Sequence, residues 1–341
     1  MKFKRFNLQF FAPTTQTTLL SGLSAENKTF YDKTLIKNAK PNLVHAQFGQ
    51  ERDIPRHGGK TIEFRRFDPL PPATTALTEG VTPDGNELNV SAITAEVHQY
   101  GDYIVQSDML QLTAIDDTMI EATQLLGAQG GNTLDILTRN ILQTGTHVFY
   151  CPKISSTDGS ETAVTSRATL DATAALTVDV VRQVVAQLEA KNTPKFGKYY
   201  YGIIHPYAKY DLMSDKAWVD ANQYAGSERL FAGELGRIAG VRFVESSNAK
   251  IFKGTEDGTP SGLAVFGTLI LGKHAYGITK LSGGGMQTIF KQLGSSGVAD
   301  ALNQRSSSGW KATHTATILT EDFLWRIESC SPRFSSSAAA N

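Results

Sequence analysis

The sequence predicts an α+β fold, and three observations carry the prediction. From Ile115 to Gln143 the apolar residues Ile115, Met119, Ala122, Leu126, Leu134, Leu137 and Ile141 recur at the spacing of a single helix face. Lys60 to Phe67 and Ile93 to Val105 alternate as strands do, with a turn-rich stretch between them. From about residue 170 to 300, helical and strand patterns alternate, which predicts a mixed α/β layer.

In chain order, residues 1 to about 50 hold only a weak helical pattern through Phe30, Leu35 and Ile36, and read as an arm. Such an arm is either a frayed terminus or an extension ordered by lying on another subunit. The two strands that follow form a hairpin with a very long tip, rich in turn formers from Asp68-Pro-Leu-Pro-Pro to Thr82-Pro-Asp-Gly-Asn. A connection of more than about 20 residues without structure is uncommon in a compact domain, and is usually functional or mobile. Arg65, Arg66, Glu79 and Asp84 on this hairpin are either a solvated face or candidate contacts to a neighbouring molecule.

The helix from Ile115 to Gln143 would run roughly 40 to 45 Å at about 1.5 Å per residue. Asp116 and Asp117 sit where a helix N-terminus favours negative charge. Within it, Gly130 and Gly131 cost about 1 kcal/mol each relative to alanine. The pair is a candidate hinge, or the place where another element crosses closely.

Val148 to Cys151 reads as a short strand and Ser155 to Ser166 as a polar boundary loop. Thr177 can cap a helix whose buried stripe is Val181, Val184, Val185 and Leu188. Tyr199 to Ile204 is a buried strand, Pro206 opens a short helix reaching Met213, and Val241 to Val244 and Leu263 to Leu271 are further strands. The last strands, Thr313 to Leu319 and Phe323 to Glu328, are expected to return beside the long helix, and Ser335 to Asn341 to be a mobile low-complexity tail.

Composition narrows the function. The 341 residues suffice for one or two domains plus extensions, and 40% hydrophobic with 19% charged content is that of a folded soluble chain. Lys plus Arg and Asp plus Glu both total 33, so no overall basic field exists to hold nucleic acid, and self-association meets no net repulsion. The opening MKFKRFNLQFFAP lacks a proper apolar core for a signal peptide, and no apolar run approaches a membrane span, so the expected compartment is cytosolic. Cys151 and Cys330 read as buried small hydrophobes.

No catalytic, cofactor or metal site emerges. Gly267-Thr-Leu-Ile-Leu-Gly272-Lys273-His274 matches a phosphate-binding loop in spacing, but its middle is a strand former, His274 replaces the magnesium-binding hydroxyl, and no helix is expected after it. The seven histidines show no metal-ligand spacing, and no GxSxG elbow is present. Lys2, Lys4 and Arg5 among Phe3, Phe6, Phe10 and Phe11 form only a short basic-aromatic stretch.

Several segments together resemble a family. Ile204-His205-Pro206 through Tyr210-Asp211-Leu212, Asn222-Gln-Tyr-Ala-Gly through Gly233-Glu-Leu-Gly-Arg-Ile-Ala-Gly-Val, Gly272-Lys-His-Ala-Tyr-Gly and Gly309-Trp-Lys-Ala are similar to tailed-phage major capsid proteins of the Hong Kong 97 type, in particular the N4-like coat proteins. The resemblance covers about residues 50 to 330. It implies a structural protein that assembles as hexamers and pentamers into an icosahedral shell around double-stranded DNA, made in the host bacterial cytoplasm and residing in the virion. It also implies an N-terminal arm (1–50), an extended loop (51–105), a peripheral domain with the spine helix (106–165 and 301–335), an α/β axial domain (166–300) and a tail (336–341). The arm is too short to be a cleaved scaffolding domain, so a separate scaffolding protein is expected, together with a portal. An encapsulin-like compartment shell is the alternative within the fold, and a cytosolic nucleotide-binding enzyme the alternative outside it.

Overall fold

The computed structural model describes residues 43–341 except 54–59, 68–69, 78, 81, 83–84, 114–117, 156–157, 226–235, 255, 261, 280–285 and 296–299, with the side chains of 111 and 221–225 also outside it. The first part of the chain gives β1 (Gln50–Arg52), β2 (Thr61–Phe67), β3 (Val90–Glu96), β4 (His98–Ser107), α1 (Asp108–Thr113) and the long helix α2 (Thr118–Leu142). Then come β5 (Val148–Tyr150), the small pair β6 (Lys153–Ile154) and β7 (Glu161–Thr162), α3 (Val178–Ala190), β8 (Tyr200–Ile204), α4 (Pro206–Ser214) and α5 (Lys216–Ala225). The remainder is β9 (Arg237–Ile238), β10 (Val241–Glu245), β11 (Ile251–Phe252), β12 (Val265–Leu271), β13 (Tyr276–Thr279), β14 (Met286–Lys291), β15 (Arg305–His314), β16 (Ala316–Ile318) and β17 (Leu324–Ser329).

The described residues divide into two units. One takes 101–130 and 286–311, and the other 43–100, 131–285 and 312–341, so the division along α2 falls between Gly130 and Gly131.

The first unit is built on the sheet β14-β15-β4. Gln106, at the end of β4, receives the Thr118 hydroxyl at 3.3 Å and donates to the Thr118 carbonyl at 3.1 Å, so a buried carboxamide fixes the first turn of α2. The Asp116 and Asp117 expected to mark that turn lie outside the described residues.

The second unit is organised by a seven-stranded mixed sheet in the order β5-β17-β12-β8-β10-β9, with β11 pairing β12. Every residue of β12 is buried, as a continuous apolar run requires when both faces of a strand are covered. Phe266 and Ile270 point into a core shared with Val181, Val184 and Leu188 of α3. Leu269 and Leu271, at the alternate positions, point into a second core with Leu142 of α2, Ala46 and Tyr276. Thr177 caps α3 by accepting from the Val180 amide at 3.4 Å, and Asp215 accepts from the Val178 amide at 2.7 Å.

Four expectations from the sequence differ from the structure. β17 does not simply lie beside the long helix; it pairs with β12 and β5 inside the main sheet, between stretches assigned by sequence to separate domains. The second expected hairpin strand is broken at Val97, so that β3 pairs with β2 while β4 joins the β14-β15 sheet. The tail is seated: Ala338 is buried in the first core and Asn341 is hydrogen-bonded on both sides of its carboxamide. In the same way Leu43 to Phe48, read as the end of the arm, pack in and against the second core.

Two buried histidines contribute to the acid response of the second unit. His314 lies between the Thr138 and Thr279 hydroxyls at 2.9 and 3.1 Å, and burial lowers it to about 4. His205 caps α4 by accepting from the Tyr207 amide at 3.2 Å, and burial, opposed by Glu245, also lowers it to about 4. Both are depressed from 6.5, so their contribution is complete above pH 6.5 and is lost as pH falls through about 4. Asp211 runs the other way: burial raises it from 3.8 to about 6, so its contribution is complete below pH 3.8 and lost as pH rises through about 6. Two protons against one leave a net fall in stability on acidification. His314→Gln, which keeps hydrogen-bonding groups but cannot titrate, is expected to flatten the acid limb of Tm against pH; an unchanged limb would contradict the assignment.

Candidate functional site

The hairpin β2–β3 is antiparallel from Thr61↔Glu96 to Phe67↔Val90. Its base is anchored: Ile62 and Phe64 are buried with Ala95 and Leu319. Phe64 lies flat against Gly277 of β13, where an added Cβ would stand 2.6 Å from the ring's Cζ. Only glycine permits that approach, and it is the hairpin's firm attachment.

Beyond Phe67 and Val90 the support ends. The described residues between them form neither helix nor strand, and Phe67, Leu70, Leu77 and Leu88 are exposed, Leu77 by 78%. Large apolar side chains held out on a long connection are what an interface looks like before its partner arrives.

The predicted contact residues that the structure describes sit on this feature. Arg65 is bonded to Glu63 at 2.9 Å, a largely exposed pair of the kind worth at most about 1 kcal/mol. Arg66 donates to the Thr320 hydroxyl at 3.4 Å, and Glu79 is exposed in a turn before Gly80. Asp84 lies outside the described residues.

The first unit carries an uncovered surface of its own. Tyr103 and Val105 of β4, Met109 and Leu112 of α1, Leu125 of α2 and Leu302 are all exposed. Gly130 is different, because it is buried beneath Trp310 of β15: a Cβ there would stand 3.2 Å from the indole and 2.6 Å from the Met286 methyl. The Trp310 indole donates to Gln129 at 3.2 Å, and Gln129 donates to Asp102 at 2.6 Å, which lowers the Asp102 pKa. Gly101 and Gly309 let β4 and β15 come together, since a Cβ on either would meet the other strand's backbone below 3 Å. Gly131 is buried.

Thr268 to Leu271 are strand residues of β12, and Gly272 to Ala275 turn directly into β13, so Gly267 to Lys273 cannot curl around a phosphate. Among the described residues no group of three or more His, Cys, Asp or Glu could hold a metal ion. Burial, before the neighbouring charges, pushes the Cys330 thiol up to about 12 and Cys151 higher still, so neither is a nucleophile.

Sequence reasoning missed the buried polar anchors. Asp135 of α2 accepts from the His45 amide at 2.7 Å and meets its ring at 2.8 Å, both side chains fully buried. Glu328 is gripped by Arg167 at 2.6 Å through both oxygens and by Arg326 at 2.8 Å. His45 and Arg167 lie 90 and 161 residues from the carboxylates they hold, a separation no local pattern reports.

A Gly277→Ala substitution should force Phe64 from its seat at an overpacking cost of roughly 1 to 3 kcal/mol. The denaturation midpoint should fall, and Phe64→Leu in the same chain should restore part of it. A single substitution without effect would show that the hairpin base is not held there.

The phage capsid protein family matches residues 44–293. The capsid of Ralstonia phage GP4 shares the fold at 15% identity with a TM-score of 0.62, covering 96% of this chain and 98% of that one. The cyanophage Pam1 capsid gives 15% and 0.61, covering 96% and 99%, and the cyanophage P-SCSP1u capsid 15% and 0.62, covering 85% and 88%. Among curated proteins no sequence relative matches the chain. An anchored hairpin with an unsupported tip, uncovered apolar surface on the other unit and a family match across most of the sequence lead to one conclusion: the chain belongs to the phage capsid protein family, as a shell-forming structural protein with the Hong Kong 97-type fold.

Proposed function

We propose that this chain is the major shell subunit of a tailed phage, arranged as hexamers and pentamers around double-stranded DNA, and that residues 68–89 are the reach of one subunit onto the next. The observation that carries the reading is the hairpin, rigid at Phe64 and Gly277 and bare beyond Phe67. A loop with exposed leucines and no core of its own gains order only by burial against another surface. Arg65, Arg66, Glu79 and Asp84 then make intersubunit contacts, whose charges align the loop more than they strengthen it. A separate scaffolding protein and a portal complete the assembly, in the cytoplasm of a bacterial host. With 33 basic against 33 acidic residues, the packaged DNA is held by confinement and not by a basic lining.

The long helix carries the second part of the proposal. Gly130 and Gly131 form a weak point where α2 bends in one state of the shell and straightens in another. That α2 passes from one unit to the other at this pair supports the reading, as does the helix-interior cost of two adjacent glycines, about 1 kcal/mol each.

Limited proteolysis tests the loop. Cleavage between residues 68 and 89 should be rapid in unassembled subunits and slow in shells, and equal rates in both would remove the intersubunit role. For the hinge, Gly131→Ala should favour the straight helix by up to about 1 kcal/mol per subunit, so that shells expand at lower temperature or milder pH. Gly130→Ala should in addition disturb Trp310 and Met286, and impair assembly itself. Shells of both variants that form and expand as wild type would leave the glycine pair without a mechanical role.

A further inference from the structure

The end of the sequence, from Ser335 to Asn341, is serine and alanine up to its final asparagine, and none of the shell chemistry above uses it. It nonetheless makes an extended and specific set of contacts in the second unit. The Ser335 hydroxyl donates to the Ala264 carbonyl at 2.8 Å and accepts from the Ser331 amide at 2.7 Å. Lys253 donates to the carbonyls of Ser336 and Ala338 at 3.2 and 2.6 Å, and Lys250 to the main-chain oxygen of Asn341 at 2.6 Å.

The Asn341 side chain is read at both of its polar atoms. Its oxygen accepts from Arg139 at 3.0 Å and from the Ile251 amide at 2.9 Å. Its nitrogen donates to the Ala249 carbonyl at 2.9 Å. Arg139 itself is 3% exposed. Its guanidinium meets the side-chain and main-chain oxygens of Asn341, the Asn248 carbonyl at 2.8 Å and the Asn140 side chain. A buried cation without oxygens around it is strongly disfavoured, so the site needs an occupant that supplies them.

We propose that Arg139, Ala249 and Ile251 form a binding site for a peptide carboxamide, which the chain fills with its own Asn341. The seated segment joins the last turns of α2 to β11 at the edge of the main sheet. Lys250 and Lys253 read the backbone of the same segment through its carbonyls, which explains why the residues between Ser335 and Asn341 need only be small. The site selects a carboxamide over a carboxylate, because a second oxygen at the place of Asn341 Nδ2 would face the Ala249 carbonyl with no proton between them.

Hydrogen exchange on the full chain tests this, followed in residues 248–253, 335–341 and the last two turns of α2, with the amides of α3 as the fold control. In wild type the segment 335–341 should exchange far more slowly than a free peptide of the same sequence. Asn341→Ala should speed exchange at the Ile251 amide by about tenfold, the effect of losing roughly two hydrogen bonds, and leave α3 unchanged. Arg139→Lys, which keeps the charge and loses the planar fork, should loosen 335–341 as well. Asn341→Asp separates a carboxamide site from a merely cationic one: faster exchange supports the proposal, and slower exchange than wild type overturns it. Free-peptide rates for 335–341 in wild type, or an Asn341→Ala chain that exchanges like wild type, would also overturn it.

Discussion

Everything in the larger unit follows from the burial of β12 on both faces. A strand with no residue in water needs a cover on each side, and its alternating side chains divide the work. Phe266 and Ile270 require the apolar stripe of α3, which Thr177 and Asp215 start at the correct residue. Leu269 and Leu271 require a second cover, and it is made from the last turn of the long helix, the segment around Ala46 and the neighbouring strand at Tyr276. The end of α2 is thus part of a core, fixed by Leu142 at full burial, while its exposed face carries Ile136 and Ile141.

Two covers brought from distant parts of the chain need registration, and buried polar groups supply it. Apolar contacts tolerate sliding; a carboxylate with two directed partners does not. Asp135 locks α2 to the backbone and ring of His45, and the Tyr276 hydroxyl donates to the His45 carbonyl, so three separate segments meet at one residue. Glu328 does the same at β17, where Arg167 stacks 3.7 Å over Phe252 and reaches the Asp257 carbonyl at 2.6 Å. Such an arrangement adds little net stability over an apolar equivalent, yet breaking one partner costs about 3 to 5 kcal/mol, so it fixes position more than it adds strength.

The sequence showed what is periodic and hid what is paired. The long helix, the hairpin β2–β3, α3 with its valine stripe, and β8, β10 and β12 were all legible because each repeats its own spacing over several residues. Residues 43–48 and the tail were misread for the opposite reason. Short, polar or small-residue stretches carry no period, and their order comes from partners such as Asp135, Arg139 and Lys253 that lie far along the chain. The break at Val97 was equally invisible, since alternation continues through it while the pairing partner changes from β2 to the β15 sheet. Of the surface features, the length of the loop was readable; that Arg66 reaches Thr320, 254 residues along the chain, was not.

The uncovered apolar residues and the balanced charge are two aspects of one constraint. A subunit that exposed Leu77, Leu88 and Leu112 with a large net charge would repel its own copies; one with zero net charge and no exposed apolar surface would have little reason to meet them. Burying one such leucine fully contributes about 1.5 to 3 kcal/mol, less than the entropy lost when two proteins join. A single pairwise contact of this size is therefore weak and reversible. In a closed shell each subunit makes several of them at once, and the later contacts form among neighbours already held in place, at a much smaller entropic cost. Weak individual contacts allow misplaced subunits to leave, and the closed surface makes the correct arrangement hard to undo. The firm base of the hairpin bears on the proposed reach for the same reason: Phe64 against Gly277 fixes its first part within the subunit itself.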